Sequence, residues 1–89
     1  MAVRQEQIEK AIALARAFGA TRLILFGSAL SRPQEGRDLD LACDGIPGWR
    51  LFEFGAKLEE ELNLPLDLVP LSPKTPFTSL IELRGKVLL

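Results

Sequence analysis

The sequence predicts a small α/β (α+β) fold: a mixed β-sheet with helices packed on one face. Three observations lead there. Stretches of helical period and short apolar runs alternate in the order helix, strand, strand, helix, strand, helix. The first two strands are joined by a short polar stretch, which permits an antiparallel pair, whereas a helix separates the second from the third and supplies the crossover that parallel neighbours need. Finally, 89 residues leave room for one core, so residues 1–89 are expected to form a single domain.

Residues 4–18 form the first predicted helix. Ile8, Ala11, Ile12, Ala15 and Phe18 recur at helical spacing, and Gly19 is a fitting C-terminal stop. Residues 22–26 are apolar and too few for a helix, so they suit a strand covered on both faces. Gly27-Ser28 breaks that run, residues 28–32 suit a turn or two of helix, and Pro33 ends them. Residues 37–43 alternate polar and apolar, the period of a strand with one wet face. A turn with Gly45, Pro47 and Gly48 leads into a second helix over 49–63, with Leu51, Phe54, Gly55, Leu58 and Leu62 on one side. Residues 64–69, between Pro65 and Pro70, form a third strand. Thr75-Pro76 looks like an N-cap followed by a proline at the first helical position, and the short helix it starts is stopped by Gly85. Residues 87–89 are a tail or a last short strand.

Composition excludes several kinds of chemistry. There is no histidine, which removes Ser–His and Cys–His mechanisms and the usual zinc ligand; catalysis has to run on carboxylates, Lys, Arg or a metal. The net charge of −1 offers no field for nucleic acid, and direct nucleic-acid binding is not expected. One cysteine, Cys43, permits no internal disulfide and points to a reduced, cytoplasmic setting, with Cys43 as a small core residue. No run approaches the ~20 apolar residues that span a bilayer, so no membrane is expected, and the opening MAVRQEQIEK does not suit a signal peptide. A hydrophobic fraction of 47% is ample for so short a chain; it supplies either a dense core or an apolar patch that a partner covers.

The chemistry-bearing residues are acidic. Asp38 and Asp40 are two apart on a predicted strand, so both side chains point to one face while Leu39 and Leu41 point to the core. Such a pair repels itself unless a cation lies between, and Mg²⁺ takes one or two carboxylates plus phosphate oxygens. Asp67, between Leu66 and Leu68, must also point away from the core. If its strand pairs beside that of Asp38 and Asp40, the three converge and can bind two ions. Gly27-Ser28 sits where a strand gives way to a helix start, a place where backbone N–H groups and a hydroxyl grip phosphate; it also reads as a plain helix cap. Each piece alone also reads as ordinary wet surface.

Together, Leu25-Phe26-Gly27-Ser28, Asp38-Leu39-Asp40-Leu41 and Pro65-Leu66-Asp67-Leu68-Val69 resemble the minimal nucleotidyltransferase (MNT) domain of the polymerase-beta-like superfamily. The resemblance implies a nucleotidyltransferase-like fold. It implies that Gly27 and Ser28 hold the triphosphate, that Asp38, Asp40 and Asp67 bind two Mg²⁺ ions, and that Asp67 also helps deprotonate the nucleophile. The reaction would move AMP from ATP to a protein hydroxyl, releasing pyrophosphate. It further implies an antitoxin that modifies and binds a HEPN-domain toxin. Many relatives place Arg directly after the Gly-Ser pair; Ala29-Leu30 stands there in this chain, leaving Arg32 or Arg37 as substitutes. Trp49 and Phe52 are the candidates for the partner face, or else cover for the sheet. A silent module that neutralises its partner by contact is the alternative. An aspartate-based phosphatase fits poorly, because Ala42 stands where that chemistry needs Thr.

Overall fold

Small residues let the first helix lie close to its neighbours. In α1, Gln5–Ala17, Ala11 and Ala15 are one turn apart and wholly buried. Gly19 ends it with a φ of 92°, a conformation that costs glycine nothing and other residues considerably more. The computed structural model describes residues 3–27, 30 and 38–89. The expected helical turns at 28–32 and the polar loop after them lie largely outside the described residues.

The remaining elements are β1 (Arg22–Phe26), β2 (Leu39–Asp44), α2 (Gly48–Leu62), β3 (Leu66–Pro70), α3 (Pro76–Arg84) and β4 (Lys86–Val87). Asn63 stops α2 from the left-handed region, at φ 53°. Thr75 caps α3 as expected: Thr78 N donates to Thr75 Oγ1 at 3.1 Å, and Thr75 N donates to Thr78 Oγ1 at 2.8 Å. The strands form one sheet in the order β3-β2-β1-β4. β1 is antiparallel to β2 and to β4, and β2 is parallel to β3, so the mixed sheet is as expected. The third strand lies slightly later than the 64–69 stretch, because Leu39 N is bonded to Pro65 O at 3.0 Å and the ladder proper starts at Leu66. The C-terminal tail resolves as the short strand β4.

Strand alternation divides the sheet cleanly. Leu23 and Leu25 of β1 with Leu39, Leu41 and Cys43 of β2 face α1 and α2, packing on Phe54, Leu58 and Leu62. Phe18 lies against Phe54 at 5.2 Å between ring centroids, and the Arg50 guanidinium covers Phe18 at 4.8 Å. The other face carries Ile24 and Ala42, which pack with Leu71 and with Ile81 of α3. Helices were expected on one face, but α3 lies on the opposite one from α1 and α2. The reason is in β1: it is apolar on both faces, so Ile24 needs cover too, and Ala42 is buried beneath α3 where a wet position was expected. An ion pair, Arg22 Nη2 to Glu82 Oε2 at 2.9 Å, ties α3 across β1. Among the described residues no helix is long and apolar enough to cross a membrane.

Two aromatics on α2 test this packing. Phe54 is wholly buried and Phe52 is 86% exposed. Phe54→Ala should cost about 3–5 kcal/mol in chemical denaturation, and Phe52→Ala less than about 0.5 kcal/mol.

Candidate active site

Three neighbouring strands bring the candidate site together. Phe26 pairs with Asp40, and Asp40 pairs in parallel register with Asp67. The three residues form one row across β1, β2 and β3, on the face away from α1 and α2, because Leu39, Leu41, Leu66 and Leu68 all pack on the other side. Parallel partners on adjacent strands lie only about 4.8 Å apart, so the two carboxyls meet. Asp38 stands just before β2 and is exposed. Its charge reaches Asp40.

The electrostatics follow from that crowding. Partial burial, the charges of Asp67 and Asp38, and a side-chain hydrogen bond with Asp67 all raise the Asp40 carboxyl above its ordinary value. Among the described residues, no three His, Cys, Asp or Glu side chains are already gathered tightly enough to hold a metal ion. The donor set nonetheless suits Mg²⁺, which needs only one or two hard carboxylates and completes its shell with water and phosphate oxygens.

Gly27 borders this row directly. Its φ of 77° favours glycine, and a Cβ placed there would run into the Asp40 carboxylate. Glycine at this point is therefore required both by the turn and by the acid beside it. Ser28, Ala29, Arg32 and Arg37, the other candidate phosphate contacts and the departure among them, lie outside the described residues. Asp44, on the same strand, is used differently: its Oδ1 accepts from Gly45 N at 3.1 Å and from Ser72 Oγ at 3.2 Å, fixing the turn at the far end of β2. Cys43 is inert, its thiol pushed up to about 11, chiefly by burial.

Two features escaped the sequence. Beyond Gly27, α3 and the end of β1 enclose a hollow of about 280 Å³ that includes Phe26, Phe77, Leu80 and Arg84. The signal for it was the spacing of Phe77, Leu80 and Arg84 down one side of a helix. The second is a groove of about 310 Å³ between α2 and the edge strand β3, with Phe52 on its wall.

A carboxyl whose value is raised by folding stabilises the folded state fully below the ordinary carboxylate range and progressively less as pH climbs through the raised value. Without divalent cations, Asp40→Asn should therefore gain melting temperature relative to wild type between about pH 4 and pH 7. A difference that stays flat over that range would rule out repulsion at Asp40.

No protein-family model matches the chain, and no curated protein matches it. Solved structures do. A toxin–antitoxin MntA–HepT structure carrying two Asp-to-Glu replacements matches at a TM-score of 0.78 and 24% identity, over 92% of this chain and 72% of that one. A toxin–antitoxin structure with AMP-PNP matches at 0.77 and 26%, again over 92% and 72%. A complex of tri-AMPylated HEPN toxin with MNT antitoxin from Shewanella oneidensis matches at 0.74 and 24%, over 96% and 71%. This chain has the fold of the MNT antitoxins, the family that its sequence resembles.

Proposed function

We propose that residues 1–89 form a metal-dependent nucleotidyltransferase domain that moves AMP from ATP onto a hydroxyl of a HEPN-domain partner, as the antitoxin of a cytoplasmic toxin–antitoxin pair. The observation that carries this is the direct register of Asp40 with Asp67 beside Gly27, on a fold shared with such antitoxins. Support comes from one neighbour that holds AMP-PNP and another whose toxin is tri-AMPylated. A third was studied with two aspartates, two positions apart, replaced by glutamate, the spacing that Asp38 and Asp40 have here.

In this reading Asp38, Asp40 and Asp67 would hold two Mg²⁺ ions, the set that the resemblance implies. When bound, the metal supplies positive charge to the triphosphate and the transition state. The chain's own residues do the rest. Gly27 has no side chain to stand between Asp40 and an incoming phosphate, and Ser28 offers its hydroxyl. Asp67 is exposed on an edge strand, so a hydroxyl on a large acceptor can reach it and lose its proton there. The hydroxyl oxygen bonds to the α-phosphorus, the bond to the bridging oxygen breaks, and pyrophosphate leaves with that electron pair.

The partner is expected against Trp49 and Phe52, which are 80% and 86% exposed on the first turn and a half of α2 and contribute little to the core. Exposed aromatics of this size are typical anchors of protein interfaces.

Label transfer from ATP to the co-expressed partner should fall at least ~100-fold in Asp38→Ala and in Asp40→Ala, and EDTA should abolish it. A wild type that transfers nothing, with neutralisation intact in both variants, would leave contact alone as the mode of action. Trp49→Ala and Phe52→Ala should each weaken partner binding by about tenfold or more in titration calorimetry, with melting temperature little changed.

A further inference from the structure

The strand order β3-β2-β1-β4 leaves β3 paired on one side only. Leu39 N donates to Pro65 O where the β2–β3 ladder starts, and Leu71 N donates to Cys43 O where it ends. Alternate residues of a strand bond the same neighbour, so the backbone groups of Asp67 and Val69 turn toward β2. Those of Leu66 and Leu68 turn outward, and among the described residues no strand pairs with them. Proline has no N–H to give, so Pro65 and Pro70 confine further pairing to residues 66–69.

The groove of about 310 Å³ runs beside this open edge, between Gly55 and Ala56 of α2 and Leu66 and Leu68 of β3. It is at the small end of ligand pockets, so it suits a side chain or two rather than a whole molecule. Phe52 on its wall is 86% exposed, and the charged residue in its lining is Glu59. Asp67 points to the opposite face of the same strand and is exposed.

One occupant satisfies both the edge and the groove. Residues directly opposite each other on neighbouring strands point to the same face. On a chain laid along β3, the residue opposite Asp67 therefore lies on the face of the acid row. Its two neighbours, opposite Leu66 and Leu68, point into the groove. A second copy of this chain is a poor occupant, because a centred antiparallel pairing of two β3 strands sets Asp67 against its own counterpart, like charge on like.

We propose that the acceptor segment of the partner binds as an added strand along β3. Its hydroxyl residue lies opposite Asp67, apolar residues on either side fill the groove, and a basic residue meets Glu59. This rests on the nucleotidyltransferase reading, since it makes Asp67 the group that takes the proton. The hydroxyl oxygen bonds to the α-phosphorus, its proton passes to Asp67, and pyrophosphate leaves with the electron pair of the broken bond.

Amide hydrogen exchange, followed by NMR on the protein alone and in complex with the co-expressed partner, reads the pairing directly. In the complex the Leu66 and Leu68 amides should exchange about tenfold more slowly or better, while Asp67 and Val69, already bonded to β2, change less. Ala56 is exposed, so Ala56→Trp fills the groove without entering the core. It should cut label transfer from ATP to the partner about tenfold or more with Mg·ATP affinity unchanged, and Ala56→Ser should transfer as wild type does. If wild type transfers label while the Leu66 and Leu68 amides exchange as fast in the complex as alone, the added strand is overturned and the nucleotidyltransferase reading stands. Full transfer by Ala56→Trp would overturn it too. Protection of both amides in the protein alone, rising with its concentration, would assign the edge to a second copy and sink the proposal. If wild type transfers no label, the nucleotidyltransferase reading fails, and the hydroxyl's place at Asp67 falls with it.

Discussion

Asp40 and Asp67 are direct partners on parallel strands, so two carboxyls meet a few ångströms apart where Asp40 is partly withdrawn from water. Much of the surrounding architecture answers to that pairing. Covering the row would bury unpaired charge, at several kcal/mol per ion after relaxation, so α3 cannot extend over it. α3 instead covers Ile24 and Ala42, next to the acids, and stops there. The residue bordering Asp40 across the sheet is the half-buried Phe26, followed by a glycine whose missing side chain gives the carboxylate its space.

Stability lost on that face is offset on the other. Leu23, Leu39, Leu41, Phe54 and Leu58 are essentially inaccessible, and together they fill the layer between the sheet and the α1–α2 pair. Among the described residues, no ionisable side chain other than the inert Cys43 thiol is buried in it. One face is therefore a packed core, and the other is core beneath α3 and open along the acid row, with the period of two along β2 assigning each residue to one face or the other. A site rich in like charge on a well-packed support is a common form of the trade between stability and function.

The aromatic residues sort by the same logic on a helical period. Phe54 is buried while Trp49 and Phe52, on the outward arc of α2, are largely exposed. On α3, Ile81 is buried and Phe77 and Leu80 are half open beside the acids. A chain this short has little core to spare for its apolar residues, and part of the surplus lies beside the acid row and part along α2, with Leu83 and Val87 exposed as well.

What the sequence determined was local. Period and punctuation gave β1 at residues 22–26, the Thr75 cap, the inward leucines flanking Asp40, and Phe54 rather than Phe52 as core. These properties belong to a single element and its own repeat. The tertiary structure decided which elements meet. Periodicity puts Asp67 opposite Leu66 and Leu68 on its own strand, but its pairing with Asp40 depends on how α2 closes the crossover and on the Leu39–Pro65 bond that starts the ladder. The side of the sheet that α3 takes depends on Ile24 needing cover, which the apolar run in β1 hinted at without saying what would provide it. The hollow exists only because Phe77 and Gly27 are brought together from distant parts of the chain. Pattern within a segment is set by backbone geometry alone, whereas contacts between distant segments are set by the cost of closing the chain between them and by which apolar faces remain to be buried.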